Sequence, residues 1–157
     1  DNETNFQYRS ILDFDTSALP DDAVVTGVTL RIRRQSIVGL NPFDLLNPSH
    51  KAGLNLLKVD MQAGYYHDIA ALERFDFHAI GSRGNVGRFI KTPTDRWYRA
   101  PLRAASYSLL NLTGVTQFRL RFDLDDNDNM GADYLSFYTG NAPEADRPQL
   151  VITFYVP

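Results

Sequence analysis

The chain has 157 residues, enough for one domain with a real core, and its 43% apolar and 22% charged residues describe a globular rather than a disordered protein. A net charge of −3 argues against nucleic acid as a partner, because phosphate binding needs a basic surface, and no apolar run approaches the roughly 20 residues of a membrane span. There is no Cys, which excludes disulfides and thiolate metal sites.

Periodicity predicts β structure from the start. Leu12 and Phe14 alternate with Asp13 and Asp15, giving a strand over Gln7–Asp15. Thr16–Asp22, with Pro20 inside it, is a turn. In Val24–Arg33, Val28, Leu30 and Ile32 alternate with Thr29, Arg31 and Arg33, as in a strand with one wet face. Gly39, Asn41, Pro42, Asn47, Pro48 and Gly53 then punctuate residues 34–53, which predicts a long loop; such loops are uncommon in compact domains unless functional. Leu54–Met61 is the next strand and Ile69–Phe75 a short helix. Asn85–Lys91 and Arg96–Leu102 are strands joined by the turn Thr92–Asp95, and Ala104–Leu110 is one or two helical turns. Phe118, Leu120, Phe122 and Leu124 alternate with Arg119, Arg121 and Asp123, Tyr134–Tyr138 follows, and Gln149–Val156 is the last strand. Six to nine strands with one or two short helices predict a single all-β module over 1–157, an antiparallel, jelly-roll-like β-sandwich.

Arg9-Ser10-Ile11-Leu12-Asp13-Phe14-Asp15, then Ala18-Leu19-Pro20 and the strand Val24–Arg33, resembles the opening of DNRLRE-type domains, whose pattern is roughly RSLLRFDLSSLP. Asp146-Arg147-Pro148-Gln149-Leu150-Val151-Ile152-Thr153-Phe154 resembles the last strand of that family, and 123–140 is similar to terminal modules of large secreted proteins from filamentous bacteria. The likeness covers both ends and not 34–115. It implies a non-catalytic β-sandwich on extracellular or cell-surface proteins, with relatives near carbohydrate-binding modules. Such domains usually begin with a further strand. Here only a polar arm, Asp1, Asn2, Glu3, Thr4, Asn5 and Phe6, precedes the first strand. With neither a start Met nor a signal peptide, the chain reads as a module processed or excised from a longer secreted protein. The missing edge strand is then expected from the parent polypeptide or from a neighbouring copy, with residues 1–6 as an assembly arm.

Six of the seven residues 123–129 are Asp or Asn. The EF-hand pattern fails here, since Gly131 falls one place late and Ser136 stands where Glu is needed. An irregular calcium loop is the chemical alternative, with Asp125, Asp126, Asn127, Asp128, Asn129 and Asp133 as hard oxygen ligands; a polar connection rich in Asx turns is the simpler reading. Aromatics outside the alternating core, Tyr65, Tyr66, Trp97, Tyr98, Tyr107 and Tyr138, are candidates to stack on sugar rings, with Arg31 and Arg33 on one wet face, and Arg119 and Arg121 on another, as clamps for acidic sugars. Core packing is the competing reading for each ring, and cross-strand ion pairing for each Arg. His50, His67 and His78 form no metal or triad pattern, and no nucleophile elbow or phosphate loop appears. The expectation is a non-catalytic glycan-binding or surface-adhesion module whose partner is a polysaccharide or cell-surface glycan. The alternatives are a fibre or sheath subunit built by strand complementation and, last, a polysaccharide-degrading enzyme.

Overall fold

A computed structural model describes residues 1–47 and 54–157. Two antiparallel sheets face each other, joined by short 3-10 turns. The strands are β1 (Arg9–Asp15), β2 (Val24–Val38), β3 (Leu57–Ala63), β4 (Arg83–Arg88), β5 (Trp97–Pro101), β6 (Val115–Phe122), β7 (Tyr134–Phe137) and β8 (Gln149–Tyr155). One sheet has the order β1-β6-β3-β4. In the other, β2 is the spine: β5 pairs with Thr29–Arg33, β8 with Val24–Arg31 and β7 with Arg34–Val38.

Alternation sets the register of the core. Val28, Leu30 and Ile32 from β2 meet Val59 and Met61 from β3, Phe118 and Leu120 from β6, and Tyr98 and Ala100 from β5, all buried. Phe43, on a 3-10 turn at Pro42–Asp44, stacks on Tyr98 with ring centroids 5.1 Å apart and plugs one end.

Three expectations change. β2 does not stop at Arg33 but runs to Val38, so the loop expected over 34–53 starts later, and its part at 48–53 lies outside the described residues. A register shift between Arg34 and Ser36 breaks the period of two, which hid the extension. The helix expected at Ile69–Phe75 is replaced by 3-10 turns at Tyr66–Asp68 and Arg74–Phe77, with His67 and Asp68 at positive φ (54° and 61°) where an α-helix cannot continue.

The two sides of the sandwich differ. On one, β4 and β5 stitch the sheets together: Arg103 N–H donates to Val86 O at 2.8 Å and Ile90 N–H to Arg99 O at 2.9 Å. Gly87 permits this approach, since a Cβ there would lie 2.7 Å from Leu102 Cδ2 and 2.9 Å from Pro101 O. On the other side, β1 faces β7 and the stretch 139–148 that leads into β8. Among the described residues, β1 pairs only with β6, and β7 and β8 only with β2.

Candidate interaction site

The open side is a trough. β1 lines it from Arg9 to Phe14, with Ala70, Leu72 and Phe77 on one wall and Phe137, Thr139, Gly140, Arg147 and Pro148 on the other; its volume is about 660 Å³. A shallower groove of about 400 Å³ continues it between Tyr8–Ser10 and Tyr134–Phe137. The inward residues Leu12, Phe14, Leu135, Phe137, Leu150 and Ile152 are only partly buried, whereas Val28, Leu30 and Ile32 of β2, Val59 and Met61 of β3 and Phe118 and Leu120 of β6 are fully buried. The core therefore reaches solvent along this line. An edge strand with free backbone groups beside unfinished apolar packing is the arrangement that accepts another strand.

Charged residues build the outer wall. Arg119 and Arg121 on β6 were expected on a wet face, but the segment 64–82 folds across them. Arg119 donates from Nη1 to Asp76 O (2.9 Å) and Ala79 O (2.7 Å), and from Nη2 to Asp60 at 3.0 Å. Its guanidinium lies 4.9 Å from the centre of the Tyr66 ring. Arg9 donates to Phe77 O, which ties β1 to the same segment. Within it, Asp76 accepts from Glu73 N–H at 2.7 Å and pairs with His67 at 2.8 Å; these contacts hold its carboxyl below the usual range. The segment also presents apolar side chains to solvent: Ile69, Leu72, Phe75 and Ile80, with Ile80 98% exposed. Phe6 and Tyr8 add two more at the head of β1. The opposite wall is held by the Arg33–Asp146 ion pair and by Arg147 Nε donating to Ala142 O at 2.7 Å.

The loop 123–133 connects β6 to β7. Asp133 organises it: Oδ1 accepts from Leu40 N–H (2.5 Å) and Oδ2 from the Asn127 and Asn129 amides (2.8 Å each). Burial pushes this carboxyl up, but those donors and the nearby N-terminal ammonium bring it below its ordinary value. Asp126 accepts from Asp128 N–H at 2.8 Å, and its charge raises the Asp128 carboxyl. Asp125 caps Asp126 N–H at 3.2 Å. Among the described residues, no three Asp, Glu or His side chains converge as metal ligands. The arm is folded back on this loop. The Asp1 ammonium donates to Asp133 O at 2.9 Å, its carboxylate accepts from Asn127 and Asp133 N–H, and Asn2 Oδ1 caps Thr4 and Phe6 N–H while Glu3 stays exposed. Asn5 reaches Asp128 at 3.4 Å.

The sugar-stacking candidates separate. Tyr66 and Tyr98 are each 1% exposed, so they are interior residues and offer no face to a glycan. Burial pushes the Tyr66 hydroxyl up to about 12. Tyr65 and Trp97 are half-buried; the Arg31 guanidinium covers the Trp97 ring at 4.8 Å and donates to Gln149 at 2.9 Å, while Arg33 is held by Asp146. Strand parity carried the signal for Tyr98, which falls on the same face of β5 as Ala100. Nothing local marked Tyr66, whose burial comes from the fold of 64–82 over the sheet. The trough residues were not singled out from sequence as a group, because β1 and 137–148 meet only through the sheet topology.

Searches against protein-family models, curated proteins and solved structures found no match for this chain. Among the described residues, no helix is long and apolar enough to cross a membrane.

Proposed function

We propose that this chain is a non-catalytic assembly or adhesion module of an extracellular or cell-surface protein, and that it works by taking a β-strand of another polypeptide into its open side. One observation carries the reading: β1, paired on one side only among the described residues, lies at the floor of an apolar-walled trough, with the core unfinished behind it. An added strand gains main-chain hydrogen bonds along β1 and covers Leu12 and Phe14 at once. At about 3.3 Å per residue, the seven residues of β1 offer a seat about 23 Å long. The burial of Tyr66 and Tyr98 and the pairing of Arg33 favour assembly over glycan stacking. The extracellular setting rests on the resemblance at the two ends of the chain.

Hydrogen exchange of the β1 amides tests this, measured in dilute protein and in the assembled material that the concentrated chain or its natural source yields. Residues 9–15 become protected on assembly if strand addition is the mode, whichever polypeptide donates. Assembled material in which these amides exchange as fast as in dilute protein overturns the proposal.

A further inference from the structure

We infer that the strand received by β1 is β1 of a second copy, running antiparallel across a two-fold axis, so that two four-stranded sheets become one of eight strands. This rests on the reading of the open side as a strand-addition surface and names its partner.

The argument is charge complementarity within β1. Arg9, Ile11, Asp13 and Asp15 share its outward face, with the positive charge at the start and both negative charges at the end. A parallel copy would set Arg9 on Arg9 and Asp13 on Asp13. An antiparallel copy does the opposite in either of two registers. Centred on Ile11, it puts Arg9 across from the partner's Asp13, twice by symmetry; centred on Leu12, it puts Arg9 across from the partner's Asp15. The Leu12-centred register also sets Ile11 against a carboxylate. The Ile11-centred register instead meets Ile11 with Ile11 and sets Tyr8 across from the partner's Phe14 on the inward face. The geometry favours Ile11 as the centre.

The polar atoms are suitably disposed. Arg9 uses Nε on Gln7 and Nη1 on Phe77 O within its own chain, which leaves Nη2 for an acceptor across the edge. Asp13 accepts from Gln117 through Oδ1, leaving Oδ2. Leu72, 62% exposed and lining the same trough as Ile11, supplies apolar area there. A two-fold contact uses one surface twice, so association stops at the dimer.

The test is a charge swap read by sedimentation and native mass spectrometry. Wild type is expected to dimerise with concentration. Arg9→Glu alone and Asp13→Lys alone each set like charges across the axis and weaken self-association about tenfold or more. An equimolar mixture of the two restores opposite charges at both contacts and forms a heterodimer. A variant that failed to fold would give no rescue, so Ile11→Cys provides an independent readout. Facing residues in an antiparallel pair are about 4.5–5.5 Å apart at Cα, within disulfide range, and the chain has no Cys of its own to interfere. Rescue on mixing, or a disulfide dimer through position 11, supports the two-fold pairing. A wild-type chain that stays monomeric at millimolar concentration and forms no Ile11→Cys crosslink overturns it. Open filaments with β1 protected from exchange but no rescue on mixing also overturn it, while leaving strand addition standing.

Discussion

Asp60 is the group whose loss the fold should feel most sharply for its size. Its side chain is 2% exposed, and it accepts from Arg119 (3.0 Å), Arg121 (2.9 Å) and Asn85 N–H (2.8 Å). Replacing it with Asn keeps the shape and removes the charge. Arg121 can turn toward solvent, because 28% of its side chain is exposed; Arg119, at 8%, cannot. One buried guanidinium is left without its counter-charge, a situation that costs about 3–5 kcal/mol. Since Arg121 can rehydrate, the expected loss lies near the lower end, about 3 kcal/mol. For a chain of this length that lowers Tm by about 6–12 °C. The pH dependence adds a second signature. Burial pushes the Asp60 carboxyl up, but bonds from Arg121, Asn85 N–H and Arg119 outweigh it, so the folded value lies below the ordinary one. A depressed carboxylate stabilises fully above its unfolded value of about 4, and this contribution is lost as pH falls through the folded value. The gap in Tm between wild type and Asp60→Asn should therefore be constant near neutrality and close in acid. Scanning calorimetry from pH 7 to pH 2 measures it. A gap under about 2 °C at pH 7, or one that widens in acid, would refute the reasoning.

Phe43→Ala removes a ring that is 1% exposed and contacts both Tyr98 and Phe122 at 5.1 Å; a loss of about 3–5 kcal/mol is expected in urea titration, with an unchanged slope. Gly39→Ala forces a Cβ to within 2.1 Å of Ala132 O at a φ of +65°, so hydrogen-exchange protection across 127–133 should fall and Tm with it. Tyr66→Phe deletes a buried hydroxyl that has no hydrogen-bond partner among the described residues, so Tm should hold or rise; a loss above about 1 kcal/mol would show that the hydroxyl is satisfied after all.

The strands with unbroken alternation were legible. β6, residues 28–33 of β2 and Leu12 and Phe14 of β1 declare their inward faces by apolar residues two apart, while β8 reads as a short apolar run; one buried face is enough for a strand to be read. The end of β2 was not legible, because the shift at Arg34–Ser36 swaps faces and the residues there are polar. The spacing of Ile69, Leu72 and Phe75 imitates a helix face, yet all three are exposed, and the segment is held by Arg9 and Arg119, which reach its carbonyls from other strands. Asp60 shows the same limit. Its parity with Lys58 and Gln62 puts it on the outward face of β3, and only the crossing of 64–82 turns that face into interior. An edge was expected to be missing a neighbour because of what preceded β1. β1 lies opposite β7 and the stretch 139–148, a neighbourhood that no local pattern encodes.

The stitching of β4 to β5 through Gly87 has a mechanical consequence. Two sheets bonded along one margin, and held along the other only at its head, where Asp1 bonds Asp133 and the Tyr8 ring meets Tyr134 at 5.3 Å, open by rotation about the bonded margin, so β4–β5 is an axle and the part of β1 beyond Tyr8 moves most. Thermal opening is then greatest where the trough lies and smallest at Gly87. A strand seated against β1 damps that rotation for the sandwich as a whole, so occupancy at a single edge should slow exchange in strands it never touches, at Val59 and Met61 of β3 among them.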